Sequence, residues 1–456
     1  MADLGSIFKA YDVRGVIPDT FNADIARAVG SAFAQVVGGP AVVVSHDMRP
    51  SSPELARAFA DGVLSRGVDV VFAGLGSTDL LYYGSGSLDL PGAMFTASHN
   101  PAEYNGIKMC RAGAAPISAE TGLDEIRELA ERNLTDPEAS DGGRGPRGTL
   151  TEQDLLSGYA DYLRDLVDLS GSRPLKVVVD AGNGMGGHTV PAVLEQGLPL
   201  EVVPLYFELD GTFPNHPANP LDPDNLVDLQ AKVRQSGADI GLAFDGDADR
   251  CFVIDERGEP VSPSAVTALV AAEELKREPG GTVIHNLITS AAVPEIVAER
   301  GGKPVRTRVG HSYIKATMAE TGAIFGGEHS AHYYFRDFWK ADTGMLAAMH
   351  VLRVLGADDR PLSEITEEYS RYAASGEINS KVADAPGRMA AVRARFADRD
   401  GVTVDELDGL SVSLPGGAWF NLRASNTEPL LRLNVEAPDD TAVASLRDEV
   451  LAIVRS

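Results

Sequence analysis

Cysteine is nearly absent: Cys110 and Cys251 are the two in 456 residues. Two cannot build a disulfide framework, neither stands in a metal-ligand spacing, and a reducing compartment suits them. Positive charge is also short, since 40 Lys and Arg face 66 Asp and Glu for a formal net charge of −26. A surface of that sign repels nucleic acid and anionic membranes, so neither is an expected partner, and an acidic substrate would need a local basic pocket. No apolar run reaches about 18 residues, which argues against a membrane-spanning helix. The opening Met1-Ala2-Asp3-Leu4-Gly5-Ser6-Ile7 lacks the basic and apolar regions of a secretory signal, so the expected location is cytoplasmic.

What is present is ordinary for a soluble enzyme, with 44% hydrophobic and 23% charged residues. The length exceeds one core and calls for about three or four domains. A repeat supports that count. Val42-Val43-Val44, a helix after Ser52-Pro53 with Leu55, Phe59 and Val63 every four residues, Gly67 and Val70-Val71-Phe72 read as strand, helix, strand, with Ser52 as the expected cap. The plan returns from Leu175 to Leu205 and from Thr282 to Gly310. Three βαβ units of about 30 residues predict three similar α/β domains with mixed, largely parallel sheets. After about Ala373 the pattern changes to a helix near 386–396, short strands near 410–414, 419–422 and 430–435, and a closing helix, which predicts a C-terminal α+β domain. The expected boundaries are 1–147, 148–255, 256–370 and 371–456, with a Gly- and Pro-rich linker near 135–148.

Each βαβ unit is followed by another apolar run ending in a polar loop. These runs lead to Ser98, to Asp245 and to Glu328. Ligands of open α/β sheets sit outside the carboxyl ends of strands, so three such loops can face one central cleft. Thr96-Ala97-Ser98-His99-Asn100-Pro101 puts a hydroxyl nucleophile on a turn, where it can be exposed and held still. Asp245-Gly246-Asp247-Ala248-Asp249-Arg250 spaces three carboxylates so that a tight loop can turn them onto one hard cation, with Mg²⁺ the natural candidate and Arg250 free to contact an anion. Gly327-Glu328-His329-Ser330-Ala331-His332 can pair with sugar hydroxyls. Arg423-Ala424-Ser425-Asn426-Thr427 can grip a phosphate, Arg423 bidentately and Ser425, Asn426 and Thr427 at its other oxygens. Arg14 and Lys108 are two further cations.

Competing readings exist for single motifs. The Asp245 loop has Glu256 at the twelfth position of an EF-hand count, but Arg250 stands where that loop needs glycine and both flanks read as strands. Gly182-Asn183-Gly184-Met185-Gly186-Gly187 contains the spacing of a dinucleotide-binding turn, with Glu201 about twenty residues on, but Pro191 follows soon after. Together the four motifs suit phosphoryl transfer on a sugar phosphate, where cations must neutralise the phosphate before a nucleophile can approach. A sugar phosphatase and a non-catalytic sugar-phosphate binder would use similar parts.

These motifs, in this order across nearly the whole chain, resemble the α-D-phosphohexomutase superfamily and within it the phosphomannomutase/phosphoglucomutase group. The resemblance implies a four-domain fold around a central cleft, and a Ser98 that rests as phosphoserine. It implies Mg²⁺ held by Asp245, Asp247 and Asp249 together with the group on Ser98. It further implies that mannose 6-phosphate and mannose 1-phosphate interconvert through a hexose 1,6-bisphosphate, which also serves as primer. Glu328 and Ser330 would read the sugar hydroxyls, and Arg423, Ser425, Asn426 and Thr427 would hold the phosphate that is not reacting. Arg14, Lys108 and Arg250 would surround the reacting phosphate, with His311 and His332 as candidates for proton transfer or substrate contact. The partners would be hexose phosphates, and the chain a monomer or weak dimer. Where relatives carry a lysine, this chain reads Val283-Ile284-His285-Asn286-Leu287-Ile288. The Glu-His-Ser-Ala-His form of the sugar loop leans toward mannose phosphate, with dual use of glucose phosphate the next reading and a glucosamine phosphate after it.

Overall fold

The computed structural model describes residues 3–136, 146–424 and 430–456, with the backbone alone at His311. Ser425, Asn426, Thr427 and the side chain of His311 therefore lie outside the described residues. The chain divides into two units, Met1–Val261 with Ser330–Ser363, and Ser262–His329 with Glu364–Ser456.

The first unit carries two mixed sheets. In one, the parallel strands Gly92–Phe95, Ala41–His46, Asp69–Leu75 and Leu150–Glu152 lie side by side, and Tyr104–Arg111 and Asp12–Val16 extend the sheet antiparallel from Gly92–Phe95. The edge strand Leu150–Glu152 carries this sheet past the boundary expected at 147. The helices Ala23–Val37 and Ser52–Ser65 cross here backbone to backbone. A Cβ on Gly30 would meet the Phe59 carbonyl oxygen at 2.1 Å and one on Gly62 the Arg27 oxygen at 2.0 Å, so only glycine permits the approach. Phe33, Phe59 and Phe95 fill the core beside that crossing. Ser52 does not cap its helix. The cap position is Ser51, without a side-chain bond, while Ser52 Oγ donates to Asp47 Oδ1 at 2.5 Å.

In the second sheet Ile240–Phe244, Leu175–Asp180 and Leu200–Leu205 run parallel, and Cys251–Asp255 and Pro260–Val261 continue it antiparallel, beyond the boundary expected at 255. Pro191 lies inside the helix Gly186–Leu194. A hairpin, Tyr333–Phe335 with Ala341–Asp342, and the buried helix Gly344–Gly356 complete the unit.

In the second unit Lys303–Thr307, Thr282–Asn286 and Phe325–Gly327 form a parallel set. The tail is an antiparallel sheet of five strands in the order Ala373–Lys381, Leu430–Ala437, Trp419–Ala424, Leu410–Ser413 and Thr403–Asp405, covered by the helices Ala385–Phe396 and Asp440–Val454. The strands Ala373–Lys381 and Thr403–Asp405 carry no clear signal in the sequence. Ala373–Lys381 is a polar edge strand with a register shift between Ala374 and Glu377, which breaks its alternation. Three α/β sheet regions and one α+β region thus match the expected fold class.

One buried carboxylate ties separate parts of the first unit together. Asp79, 1% exposed, accepts from Ser77 Oγ, from Tyr159 Oη at 2.6 Å and from Thr343 Oγ1 at 2.7 Å. Burial pushes its carboxyl up to about 6 from 3.8, against the pull of these hydroxyls. The folded state therefore binds this proton more tightly than the unfolded chain. The associated stability is complete below about pH 4 and is lost as pH rises through about 6, a difference of about 3 kcal/mol. Asp79→Asn cannot ionise, so wild type minus variant stability, from urea midpoints, should fall by about 2 kcal/mol between pH 4.5 and pH 7. A difference that is flat over this range refutes the assignment.

Candidate functional site

Ser98 lies at the carboxyl end of the strand Gly92–Phe95, and the turn that holds it is built from all sides. It is buried, 3% exposed, rather than exposed as expected, and its φ is +51°, the left-handed region that a residue with a Cβ rarely adopts. Its backbone N–H donates to Thr96 Oγ1 at 2.9 Å. Beneath it lies Arg49, a residue the sequence reading passed over. Arg49 Nη2 donates to the carbonyls of Ser98 at 2.9 Å and Asn100 at 2.6 Å, and Nη1 to those of Pro101 at 2.8 Å and Tyr104 at 2.9 Å. Its Nε stands 3.3 Å from Asp47 Oδ2, and both side chains are fully buried. One guanidinium thereby fixes four carbonyls of the turn.

The Asp245 loop is the hairpin between Ile240–Phe244 and Cys251–Asp255, and both flanks are strands, as the case against an EF-hand requires. Gly246 allows the loop to touch the serine turn, since a Cβ there would meet the Ser98 carbonyl oxygen at 2.4 Å. Gly184 packs on Gly246 in turn, its Cβ position 2.7 Å from the Gly246 oxygen, and Met185 N donates to that oxygen at 2.9 Å. The glycine run at 182–187 therefore braces the Asp245 loop, and the Met185 N–H at the head of the following helix is taken by the Gly246 carbonyl instead of being left for an anion.

Ser98 Oγ donates to Asp245 Oδ2 at 2.9 Å and lies 3.1 Å from His99 Nδ1. Oxygens of Asp245, Asp247 and Asp249 lie within 4.8 Å of one another, and all three residues are at most 1% exposed. Asp247 Oδ1 and Asp249 Oδ1 are buried without a hydrogen-bond partner among the described residues. Such orphaned carboxylate oxygens facing one point fit a hard divalent cation. Burial, with Asp249 and Asp247 beside it, pushes Asp245 up to about 6 against the pull of Arg250. Burial acts the same way on Asp247, but Lys108 overrules it and holds that carboxyl well below the usual range. Thr78, at the start of the helix Thr78–Leu88, anchors Asp247 through Oγ1 at 2.6 Å to Oδ2 and through its N–H at 3.0 Å to the Asp247 carbonyl.

The cations come from strand register. On the antiparallel pair Asp12–Val16 and Tyr104–Arg111, Arg14 faces Gly106 and Lys108 faces Asp12, which puts both cations on one face of the sheet. Lys108 Nζ lies 2.7 Å from Asp247 Oδ2 and 2.5 Å from Asp249 Oδ2. Arg14 donates to Asp12 Oδ2 at 2.8 Å, to the Ala97 carbonyl at 3.3 Å and to Asn100 Oδ1. Arg250 Nε donates to Asp245 Oδ2 at 2.9 Å, and its Nη2 lies 2.7 Å from His99 Nδ1. Burial and the neighbouring Arg250 and Arg14 hold the His99 imidazole well below its ordinary value, so it is neutral. His332 Nδ1 lies 3.0 Å from Asp342 Oδ2 and 4.0 Å from Asp249 Oδ1. Burial opposes its charge, but Asp249 and Asp342 overrule that and hold His332 above its ordinary value.

Ser98, Arg14, Lys108, Asp245, Asp247, Asp249, Arg250 and His332 thus form one cluster in the first unit. Ser330 is half-buried in the same unit. Glu328 belongs to the second unit, buried, where its Oε1 accepts from Asn286 Nδ2 at 3.1 Å and from Gly310 N at 3.3 Å. Asn286 thus orients Glu328. Arg423, also in the second unit, has Nη2 3.2 Å from Glu377 Oε2, while Arg432 Nη1 lies 3.4 Å from Glu377 Oε1. Arg432, a second guanidinium on the adjacent strand, carried no motif and went unnoticed.

Comparison with known proteins identifies the family. Profiles described as phosphoglucomutase/phosphomannomutase match in four segments: alpha/beta/alpha domain I at residues 5–136, domain II at 157–258, domain III at 262–372 and the C-terminal domain at 377–453. A phosphomannomutase of Escherichia coli is 40% identical over 457 residues, covering 98% of this chain and 99% of that one. A protein of Xanthomonas campestris pv. campestris named phosphohexose mutases is 40% identical over 451 residues, 98% of each. A solved phosphoglucomutase/phosphomannomutase family protein from Burkholderia thailandensis superposes with a TM-score of 0.88 at 35% identity, covering 100% of this chain and 98% of that one. With a hydroxyl, three convergent carboxylates and three cations gathered as described, and similarity running through all four segments, the chain belongs to the phosphoglucomutase/phosphomannomutase family.

Proposed function

We propose that this protein interconverts mannose 6-phosphate and mannose 1-phosphate by phosphoryl transfer through Ser98 and a hexose 1,6-bisphosphate. The coarser statement, a mutase and so an isomerase acting on phosphohexoses, rests on relatives 36–40% identical over nearly the whole chain. The observation that carries the finer reading is the 2.9 Å contact of Ser98 Oγ with Asp245, beside two orphaned carboxylate oxygens and three buried or half-buried cations.

With a phosphoryl group on Ser98, a hydroxyl oxygen of the hexose phosphate attacks phosphorus, the bond to Ser98 Oγ breaks, and the hydroxyl proton passes to His332, which Asp342 orients through Nδ1. Ser98 leaves as an alkoxide stabilised by the cations around it. The reverse transfer, from the other end of the bisphosphate, restores the phosphoserine and releases the positional isomer. Arg14, Lys108 and Arg250 offset the charge that keeps two oxyanions apart. Glu328 and Ser330 read the sugar hydroxyls. Arg423, with Ser425, Asn426 and Thr427, holds the second phosphate, and Arg432 and Glu377 keep the Arg423 guanidinium oriented. Asp245, Asp247 and Asp249 would hold Mg²⁺, which supplies Lewis-acid neutralisation of the phosphoryl oxygens.

Three measurements test this reading. Turnover of mannose, glucose and glucosamine phosphates, with a bisphosphate primer and inorganic phosphate monitored in parallel, should give isomer without phosphate release and the highest kcat/KM for mannose phosphate. Phosphate release in place of isomer would make the protein a phosphatase. Chelation should lower the rate by about 100-fold or more, with recovery on added Mg²⁺. Mg²⁺ should also raise Tm in the wild type, but not in Asp247→Asn/Asp249→Asn. A chelated enzyme that keeps its full rate refutes the metal assignment.

A further inference from the structure

The second unit contains a cavity of about 200 Å³ that the proposed reaction does not use. It is bounded on one side by Ser264 and His329, and on the other by Trp419, Asn434 and Glu436 of the tail sheet. Two of these polar groups are almost fully buried, Asn434 at 5% and Glu436 at 3% exposed. Asn434 Nδ2 has no hydrogen-bond partner among the described residues, a costly condition for an amide unless something enters to meet it. Glu436 Oε1 accepts from Trp419 Nε1 at 2.7 Å and from Ala291 N at 2.8 Å, which leaves Oε2 as the acceptor for an occupant.

The charge around the cavity selects the ligand. Arg371, the one guanidinium in its lining, is taken up by Glu299 at 2.6 Å and Glu295 at 3.3 Å. Ser264 Oγ lies 3.2 Å from His329 Nδ1, and burial lowers the His329 imidazole, so that ring is neutral. An anion would face the Glu436 carboxylate with no free cation among the described lining residues to offset it. An ammonium would satisfy Glu436 and leave the Asn434 amide unmet. A hydroxyl both donates and accepts, so adjacent hydroxyls of a polyol can serve Glu436 Oε2 and Asn434 Nδ2 together while Trp419 supplies apolar wall.

We propose that this cavity is a binding site for a neutral polyhydroxylated molecule of about hexose size, recognised by Asn434 and Glu436. The chain has two tryptophans, Trp339 and Trp419, so the site carries its own reporter. In the full chain labelled with 5-fluorotryptophan, with resonances assigned through Trp419→Phe, titration with free mannose or another neutral hexose should shift the Trp419 signal saturably and leave Trp339 in place. Asn434→Ala removes a donor that bonds nothing in the protein, so it should fold as the wild type does and bind about five- to tenfold more weakly. A hexuronate, with the same ring and a carboxylate, should also bind at least tenfold more weakly. No saturable shift at Trp419, or equal binding by Asn434→Ala, or a hexuronate as tight as the neutral sugar, overturns the proposal.

Discussion

Ser98→Ala should lower kcat/KM by about 10⁴-fold, about 5.5 kcal/mol in the barrier, and abolish covalent phosphate on the protein. The two hydroxyls described beside it are already engaged. Thr96 Oγ1 accepts the Ser98 N–H, and Thr78 Oγ1 donates to Asp247. The fold should survive. Alanine keeps the Cβ that serine already carries at φ +51°, and the clamp on the turn acts through backbone carbonyls that the substitution leaves in place. The expected result is therefore a variant with wild-type Tm, no phosphate by intact mass after incubation with the bisphosphate, and turnover near background. A variant that retains a tenth of the rate, or one whose mass shows phosphate at another residue, would move the transfer chemistry away from Ser98.

Legibility followed the scale of the interaction. The alternating βαβ plan was readable because strand and helix periods are local, and the Asp245 loop because its carboxylates are neighbours in sequence as well as in space. Strand register, the feature that puts Arg14 and Lys108 on one face, involves residues 94 positions apart and leaves no local mark. Gly246 looks locally like any glycine of a tight acidic loop, whereas its role is to admit the Ser98 carbonyl, a contact across 148 positions. The segment 283–288 stands out only for lacking a lysine, and nothing local marks Asn286 within it as the donor to Glu328. The edge strands Leu150–Glu152 and Pro260–Val261 were missed because two or three residues carry too little alternation to register. Arg49 was missed for a similar reason. In Asp47-Met48-Arg49-Pro50 it looks like a loop cation beside an acid, and nothing local reveals that its guanidinium turns inward.

Arg49→Met should destabilise the first unit by about 3–5 kcal/mol, because it leaves Asp47 as a buried, unpaired charge. It also removes the donors of four carbonyls, and the turn bearing Ser98 should lose its fixed geometry, lowering kcat about 100-fold in the protein that stays folded. The two effects separate by design. In Asp47→Asn/Arg49→Met the orphaned carboxylate is gone, so the urea midpoint should recover by about half of the loss, but no donor returns to the turn and kcat should stay low. Arg49→Lys keeps the charge, yet one ammonium cannot span carbonyls that the guanidinium reaches with two separate nitrogens, so it should fall between wild type and Arg49→Met in rate. A kcat within threefold of wild type in Arg49→Met would mean that Thr96 and the packing of Gly246 hold Ser98 without the clamp. Recovery of both stability and kcat in the double variant would assign the whole effect to the Asp47 charge. Because Arg49 donates to the backbone of Ser98 and the positions after it, never to the hydroxyl itself, KM for the hexose phosphate should move far less than kcat, the split expected of a residue that positions the nucleophile without touching substrate.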